Sequence, residues 1–182
     1  PIPQGTTAPR SGRSVQRHIA SSLWSMTSVE PDSGLAPVRE TDRRRMIVAI
    51  DDRVPDSEFL LAALVEPAEA IRIGPIEDGL ERVLKTAQKI RGNRLVIICH
   101  GAPGALMLGE HTLTTEMLLA RRNLLSRIGR ALHGASISLY ACSVAHGRNG
   151  HAFLAALSSG TGCPVSASSL SVGAAAKGGT WS

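Results

Sequence analysis

A histidine and a cysteine are the residues of this sequence whose types and positions best suit covalent chemistry. His100 directly follows the apolar run at residues 95–99, and Cys142 directly follows the apolar run at residues 136–141. A thiol with a pKa near 8.5 is only about a few per cent thiolate at neutral pH, and a nearby imidazole can raise that fraction or take the proton during attack. The pair therefore predicts a cysteine nucleophile with a histidine base, a chemistry that needs no metal and no cofactor.

Backbone groups beside this pair could bind the negative charge that develops on a substrate carbonyl oxygen. Gly101 follows His100 and has no Cβ, so the chain can turn sharply there and present its N–H to the site. Together with the N–H of Cys142, this donor could stabilise a tetrahedral oxyanion. Gly101 and Cys142 are therefore the predicted oxyanion-binding positions.

Two carboxylates follow the first apolar run of the chain, at residues 46–50. Asp51 and Asp52 could receive a basic side chain of a substrate through charge-assisted hydrogen bonds. They could also cap the following turn, because aspartate bonds readily to nearby backbone N–H groups. The sequence predicts Asp51 and Asp52 as substrate-binding candidates and leaves both uses open.

The candidate thiol and its partner also have structural alternatives. Cysteine is among the most buried residue types, so Cys142 could simply pack under the edge of a sheet. His146 and His151 follow it closely and could partner the thiol in place of His100. Cys99, inside an apolar run, and Cys163, beside a proline, are predicted to be structural.

Strand-sized apolar runs alternate with segments of helical periodicity along most of the chain. The predicted strands are residues 46–50, 70–73, 95–99, 136–141 and 164–167, and the predicted helices are residues 57–64, 77–90, 115–132 and 150–158. Strands without two-residue alternation, separated by helices, are typical of a parallel sheet that is covered on both faces.

We therefore predict an α/β fold with three layers, in which helices cover both faces of a mostly parallel sheet. A turn at Gly109 and Glu110 predicts a small β-hairpin over residues 105–113, after the third strand. Ligands of such sheets bind outside the carboxyl ends of the strands. His100, Cys142 and Asp51 should therefore emerge at the same edge.

Composition divides the 182 residues into a leader and one domain. Residues 1–45 are rich in Pro, Gly, Ser, Thr and Arg, and are expected to form a mostly disordered basic leader. Within it, residues 15–26 have apolar spacing that could dock a short helix. Residues 46–182 are the predicted domain, and the 3% of aromatic residues implies a core of Leu, Ile, Val and Ala.

The sequence lacks the motifs that are typical of several functional classes. No nucleic-acid motif or aromatic interleaving accompanies the leader's arginines, so we expect no nucleic-acid partner. No apolar run approaches the roughly 20 residues of a membrane-spanning helix. Neither GxGxxG nor GxxxxGK[ST] is present, which argues against nucleotide binding. Three cysteines without a CxxC pair argue against a disulfide framework and a structural zinc site.

Two sequence blocks carry a resemblance to a known superfamily. Residues 95–101 read LVIICHG and residues 137–142 read ISLYAC. An apolar strand followed by His-Gly, and a second followed by Ala-Cys, resembles the signatures of the caspase, gingipain, clostripain and metacaspase superfamily, clan CD of the cysteine peptidases.

A narrower resemblance rests on four segments of the chain. These read IDDRVPD at residues 50–56, HGAPGALMLG at 100–109, LYACSVA at 139–145 and GGTW at 178–181. They look like a bacterial domain of unknown function that often lies near the N-termini of very large secreted or surface proteins with cadherin-like and calcium-binding repeats. The resemblance extends over about residues 46–181.

The superfamily resemblance implies roles for individual residues. His100 maps onto the general base, Cys142 onto the nucleophile, and Gly101 onto the oxyanion hole. It implies a caspase-like cysteine endopeptidase that cleaves a polypeptide, either its own parent chain or a partner, during export or maturation. The narrower resemblance implies a bacterial secreted or surface setting. The alternative is a catalytically quiet module that keeps the fold and serves in interactions.

Overall fold

The computed structural model describes residues 46–62, 68–90, 92 and 94–170. The predictions made for the leader at residues 1–45, including a helix at 15–26, and for the GGTW ending lie outside these residues.

A five-stranded parallel sheet forms the centre of the described domain. Its strands are β1 (Met46–Asp51), β2 (Ala68–Ile73), β3 (Arg94–Ile98), β7 (Ser136–Tyr140) and β8 (Val165–Ala167), in the order β2-β1-β3-β7-β8. Every residue of β1 is buried, which explains the unbroken apolar run at residues 46–50, because a central parallel strand contacts protein on both faces.

Within the described ranges, five helices flank this sheet. They are α1 (Ser57–Ala62), α2 (Gly79–Ile90), α3 (Thr115–Ala120), α4 (Arg122–Ala131) and α5 (Gly147–Thr161). Side chains of α2, α3, α4 and α5, including Leu84, Leu118, Leu125 and Phe153, form one large core with the sheet. Leu61 of α1 packs against a smaller cluster that contains Val48 and Val96. Helices therefore cover both faces, and the predicted α/β fold with its mostly parallel sheet is confirmed.

The direction of the chain reverses next to β1. The connection through α1 leads from β1 to β2 at the sheet edge, whereas the connection through α2 returns past β1 to β3. Right-handed crossovers in opposite directions place α1 and α2 on opposite faces. The carboxyl ends of β1 and β3 therefore form a topological switch point, where open α/β sheets bind ligands.

The predicted β-hairpin is part of a small three-stranded antiparallel sheet. It consists of β4 (His100–Ala102), β5 (Ala105–Leu108) and β6 (His111–Thr114). Leu106, Leu108 and Leu113 face the large core. The hairpin itself is β5 and β6, and the added strand β4 begins at His100, with Cys99 as the one residue between it and β3.

The structure divides the single helix predicted at residues 115–132. Helix α3 ends at Ala120 and helix α4 begins at Arg122. Between them, Arg121 has a φ of −102° and a ψ of 23°, which lie outside the helical range. The Arg121 guanidinium binds the carboxylate of Asp78, which precedes α2. A contact with a distant element therefore accompanies this break. No helix within the described ranges is long and apolar enough to cross a membrane.

Candidate active site

The register of the sheet brings His100 and Cys142 to neighbouring strand ends. Ile98 of β3 pairs with Tyr140 of β7, and each candidate residue lies two positions further along its own strand direction. The Cys99 N–H donates to the Tyr140 carbonyl at 3.3 Å, so the ladder continues past the assigned strands. Adjacent strands lie about 4.8 Å apart. The two candidate residues therefore belong to the same edge of the sheet.

One ring nitrogen of His100 contacts a backbone carbonyl. Its Nε2 lies 3.0 Å from the carbonyl oxygen of Arg53, the second residue after β1, and the His100 side chain is otherwise exposed. A carbonyl oxygen can only accept a hydrogen bond, so Nε2 carries the proton in this contact. In a neutral imidazole the proton acceptor is then Nδ1.

The loop after Cys142 has an unusual backbone. Cys142 is half-buried, and Ser143 has a φ of +55°, in the left-handed region that non-glycine residues rarely adopt. Such conformations persist where the surrounding structure imposes them, and they concentrate at functional sites. His146 and His151, the alternative partners, are exposed at the start of α5 and do not lie at a strand end.

Gly101 lies in β4 and not in the sharp turn predicted from the sequence, and its lack of a side chain is required for close packing. An ideal Cβ at this position would lie 2.6 Å from Val144 Cγ2, 2.8 Å from Ala141 Cβ and 3.0 Å from the Cys142 carbonyl oxygen. Contacts below 3.0 Å essentially do not occur for real Cβ atoms. The missing side chain therefore lets the β4 backbone lie directly against the Cys142 loop.

Asp51 is held by an internal network. Its side chain is 1% exposed and accepts from Arg53 Nε at 2.7 Å, Arg53 Nη2 at 2.8 Å and the Gly109 N–H at 2.8 Å. Arg53 Nη2 also donates to the Gly109 carbonyl at 2.8 Å. We call Asp51, Arg53 and Gly109 the Asp51 network. It ties the end of β1 to the turn between β5 and β6, and it fixes the residue whose carbonyl contacts His100.

The charge of Asp51 is favoured in this network. Burial by itself would raise the pKa of the carboxyl, but the hydrogen bonds from Arg53 and the Gly109 N–H outweigh it and hold the pKa below its usual range. Asp52 is more accessible: its carboxylate pairs with Arg72 at 2.7 Å, and Arg72 also contacts Glu58 at 2.9 Å on the surface. Both predicted substrate-binding carboxylates therefore have arginine partners within the chain.

Acid titration is expected to expose the contribution of Asp51 to stability. Because its pKa is lowered on folding, the carboxylate stabilises the fold above its unfolded pKa of about 3.9, and this contribution is lost as the pH falls through the lower folded value. Asp51→Asn should cost about 1.5–3 kcal/mol at pH 7, the usual range for hydrogen bonds to charged groups. The difference from the parent should shrink below about pH 4.

Urea unfolding at pH 7 and at pH 3 measures the free-energy cost of Asp51→Asn and its change with pH. Asp52→Asn is the matched control, because an exposed ion pair contributes only about 0–1 kcal/mol. Equal costs for the two variants at pH 7, or a cost of Asp51→Asn that does not change with pH, would contradict the expectation.

The other two cysteines have the properties of structural residues. Burial raises the pKa of the Cys99 thiol to about 12, and burial also raises the pKa of the Cys163 thiol. All three cysteines lie within the described ranges, and no disulfide joins them. Neither Cys99 nor Cys163 carries appreciable thiolate near neutral pH.

One group of potential metal ligands occurs in the described part of the chain. Oxygen or nitrogen atoms of Asp78, Glu110 and His111 lie within 4.8 Å of one another. Asp78, however, binds the guanidinium of Arg121 and accepts from the N–H groups of Leu80 and Glu81 at 3.1 Å. The Arg121 guanidinium and the N–H groups at the start of α2 therefore satisfy the Asp78 carboxylate without a metal ion.

Two functional candidates, Arg53 and Gly109, were not predicted from the sequence. Arg53 supplies both the carbonyl that contacts His100 and the guanidinium that binds Asp51. Gly109 was read only as part of a turn, yet its N–H and carbonyl complete the Asp51 network. The available signal was the Asp-x-Arg spacing directly after a buried strand, where an unpaired aspartate would be costly.

A family model described as Domain of unknown function (DUF4347) matches residues 47–182. No curated protein matches the chain. No solved structure matches it either.

Proposed function

The chain belongs to the DUF4347 family, and we propose that its domain is a caspase-like cysteine endopeptidase in which His100 and Cys142 form the dyad. The observation that carries this proposal is the register of β3 and β7, which brings a histidine and a cysteine to neighbouring strand ends. The left-handed backbone of Ser143 and the close approach of Gly101 support it, because both are specialised features beside the thiol.

The contact of His100 with Arg53 suggests how the dyad works. With Nε2–H held by the Arg53 carbonyl, Nδ1 takes the Cys142 proton, and the sulfur bonds to the carbonyl carbon of a peptide bond. The C–N bond then breaks as the imidazolium returns the proton to the leaving amine. Water, losing a proton to the same Nδ1, hydrolyses the thioester and restores the thiol.

The proposed oxyanion donors are the backbone N–H groups of Gly101 and Cys142. Gly101 lies directly against the Cys142 loop: a Cβ at position 101 would collide with side-chain atoms of Val144 and Ala141 and would lie 3.0 Å from the Cys142 carbonyl oxygen. Two donors on the adjoining segments that follow β3 and β7 could bind one oxygen without reorganisation during the reaction. Removing one such donor typically costs about 10²–10³-fold in rate.

We further propose a preference for a basic residue before the cut, through Asp52 or Asp51. Asp52 is the more exchangeable of the two, because its partner Arg72 is 45% exposed and a surface pair contributes little stability. Asp51 would have to release Arg53 first. The arginines at positions 43–45, directly before β1, make the chain itself a candidate substrate for autoprocessing.

The proposal includes the relationship of the domain to the clan CD superfamily and its place within a larger protein. The His-Gly and Ala-Cys blocks after strands β3 and β7 support descent from the clan CD superfamily. The narrower resemblance supports a place within a large exported bacterial protein, where a peptidase domain could mature its own parent chain.

A fluorogenic peptide-library screen tests the function. The full chain is expected to cleave part of the library at neutral pH, and Cys142→Ala should give no cleavage above the background of the screen. Mass spectrometry of the incubated chain would show new N-termini after arginine if it processes itself. Cleavage retained by Cys142→Ala would assign the activity to another group or to a contaminant.

Alkylation distinguishes a working dyad from a quiet module. Iodoacetamide below pH 7 is expected to modify Cys142 at least about tenfold faster than Cys99 or Cys163, which are buried thiols. Exposure alone could produce that difference, so His100→Ala is the control: it should slow the alkylation of Cys142 if the imidazole activates the thiol. No cleavage, together with unchanged alkylation in His100→Ala, would favour the interaction module.

A further inference from the structure

We propose that residues 168–170, which follow β8, form a clamp that sets the backbone of the Cys142 loop and so positions the nucleophile. We call these residues the clamp. The catalytic meaning of this inference rests on the proposed peptidase function, whereas the conformational coupling between the clamp and Cys142 can be measured without it.

The clamp is tied to the loop by two backbone hydrogen bonds. The N–H of Ser143 donates to the Leu170 carbonyl at 2.9 Å, and the N–H of Ala145 donates to the Ser168 carbonyl at 3.1 Å. Val144, between these two donors, is buried and accepts from the Gly104 N–H at 3.1 Å. Three consecutive residues after the thiol are therefore each held by a different distant backbone group.

These contacts account for the strained residue. The left-handed region is disfavoured for a non-glycine residue by about five- to thirtyfold in population, so Ser143 adopts it only because its surroundings require it. The hydrogen bonds from the Ser143 and Ala145 N–H groups to the clamp constrain the backbone of Ser143 in this way. Cys142 and Ser143 share a peptide group, and its carbonyl lies against Gly101. A relaxed Ser143 would therefore move the backbone that carries the thiol.

The clamp has its own stiffening device. The Ser168 hydroxyl accepts from the Leu170 N–H at 3.0 Å and donates to the Leu170 carbonyl at 3.1 Å. Serine hydroxyls stabilise tight turns in this way. This local turn presents the Ser168 and Leu170 carbonyls together to the loop. Its loss should release both bonds to the loop at once.

A contact with a purely structural role would stabilise the domain without affecting the reactivity of the Cys142 thiol. The test must therefore measure that reactivity. In the full chain, Ser168→Gly/Ser169→Gly removes the hydroxyl turn and adds backbone freedom. Ser169→Ala is the matched control, because the exposed Ser169 side chain takes part in none of the four hydrogen bonds of the clamp described above and alanine keeps the backbone stiff. Amide hydrogen exchange at Ser143 and Ala145 reports whether the clamp is docked, and iodoacetamide at pH 6 reports the reactivity of Cys142.

The glycine variant is expected to exchange both amides faster and to lose about five- to thirtyfold in the rates of Cys142 alkylation and peptide cleavage. Ser169→Ala should match the parent. Adding Ser143→Gly to the glycine variant should restore most of the lost alkylation rate, because glycine adopts the left-handed conformation without the clamp. Rescue of this kind is not expected from a general loss of stability, which would instead speed the alkylation of buried Cys99 and Cys163.

Three results would overturn the inference. The first is unchanged protection of both amides in the glycine variant. The second is faster exchange with unchanged Cys142 reactivity, and the third is failure of Ser143→Gly to rescue. If the parent cleaves no peptide at all, the proposed function fails, while exchange, alkylation and rescue still decide the role of the clamp.

Discussion

The double variant His100→Ala/Cys142→Ala is expected to hydrolyse peptide as slowly as Cys142→Ala alone. Each single substitution should lower kcat by about 10⁴-fold or more, because a nucleophile and its base act as one unit. Once either side chain is absent, loss of the other removes nothing further. The register that brings the two residues to neighbouring strand ends is the structural reason to expect this non-additivity.

The measurement is a comparison of kcat for the parent, the two single variants and the double variant on one peptide identified by the library screen. His146→Ala and His151→Ala are the matched histidine controls, and both should retain parental activity because these side chains are exposed at the start of α5, His146 directly before the helix and His151 in its first turns. Thermal unfolding of each variant verifies that the fold is intact.

Two outcomes would contradict the assigned dyad. Losses that multiply in the double variant would mean that His100 and Cys142 act independently. A loss of activity in His146→Ala or His151→Ala equal to that in His100→Ala would move the base to α5.

Gly109→Ala is expected to destabilise the domain more than a simple loss of glycine would. Gly109 has a φ of +64°, and an ideal Cβ there would lie 2.0 Å from the Glu77 carbonyl oxygen, a backbone atom that cannot swing away. The N–H and carbonyl of Gly109 also complete the Asp51 network. Relief of the collision would therefore break bonds to Asp51 and Arg53. The expected cost is at least about 4 kcal/mol, a large part of a typical 5–15 kcal/mol stability.

Gly134→Ala is the matched control for Gly109→Ala, because it introduces the left-handed backbone strain without a steric collision. Gly134 has a comparable φ of +78°, but an ideal Cβ there would meet no heavy atom within 4 Å. It should therefore cost only the left-handed strain, about 1–2 kcal/mol. Urea unfolding of both variants at neutral pH gives the comparison, and similar costs for the two would mean that the β5–β6 turn can move away from Glu77 freely.

The Gly109 variant should also affect the site through Arg53. The Arg53 guanidinium bonds to the Gly109 carbonyl, and the Arg53 backbone carbonyl contacts His100 Nε2. Under conditions where Gly109→Ala stays folded, we expect slower peptide cleavage than in Gly134→Ala. The turn is thus expected to support the orientation of His100 as well as the stability of the fold.

The sequence by itself was sufficient to predict the α/β fold and the positions of the candidate residues at strand ends. The apolar runs of β1 and β3 lack two-residue alternation because both faces of these strands are buried, and that property is local to each run. Strand β7 alternates serine with isoleucine and leucine, although its three central residues are all buried. Since parallel strands present their carboxyl ends at one edge, His100 and Cys142 could be assigned to the same edge without the order of the strands. Their catalytic role stays a prediction.

The same reasoning failed where a distant element decides the local conformation. A glycine at position 101 suggested a turn, but it is required by the packing of β4 on the Cys142 loop. The periodicity of residues 115–132 suggested one helix, which in the structure is interrupted at Arg121, where the side chain binds Asp78. Neither neighbour is close in sequence, so no local pattern reports it.

Only the tertiary structure could reveal the groups that hold the candidate dyad in place. Three of them are backbone carbonyls: that of Arg53 on His100, and those of Ser168 and Leu170 on the loop after Cys142. Every residue carries the same carbonyl group, so residue type gives no sign of which carbonyl will accept a particular hydrogen bond. Side-chain chemistry can be read from a sequence, whereas the use of a backbone group is decided by which segments the fold brings together.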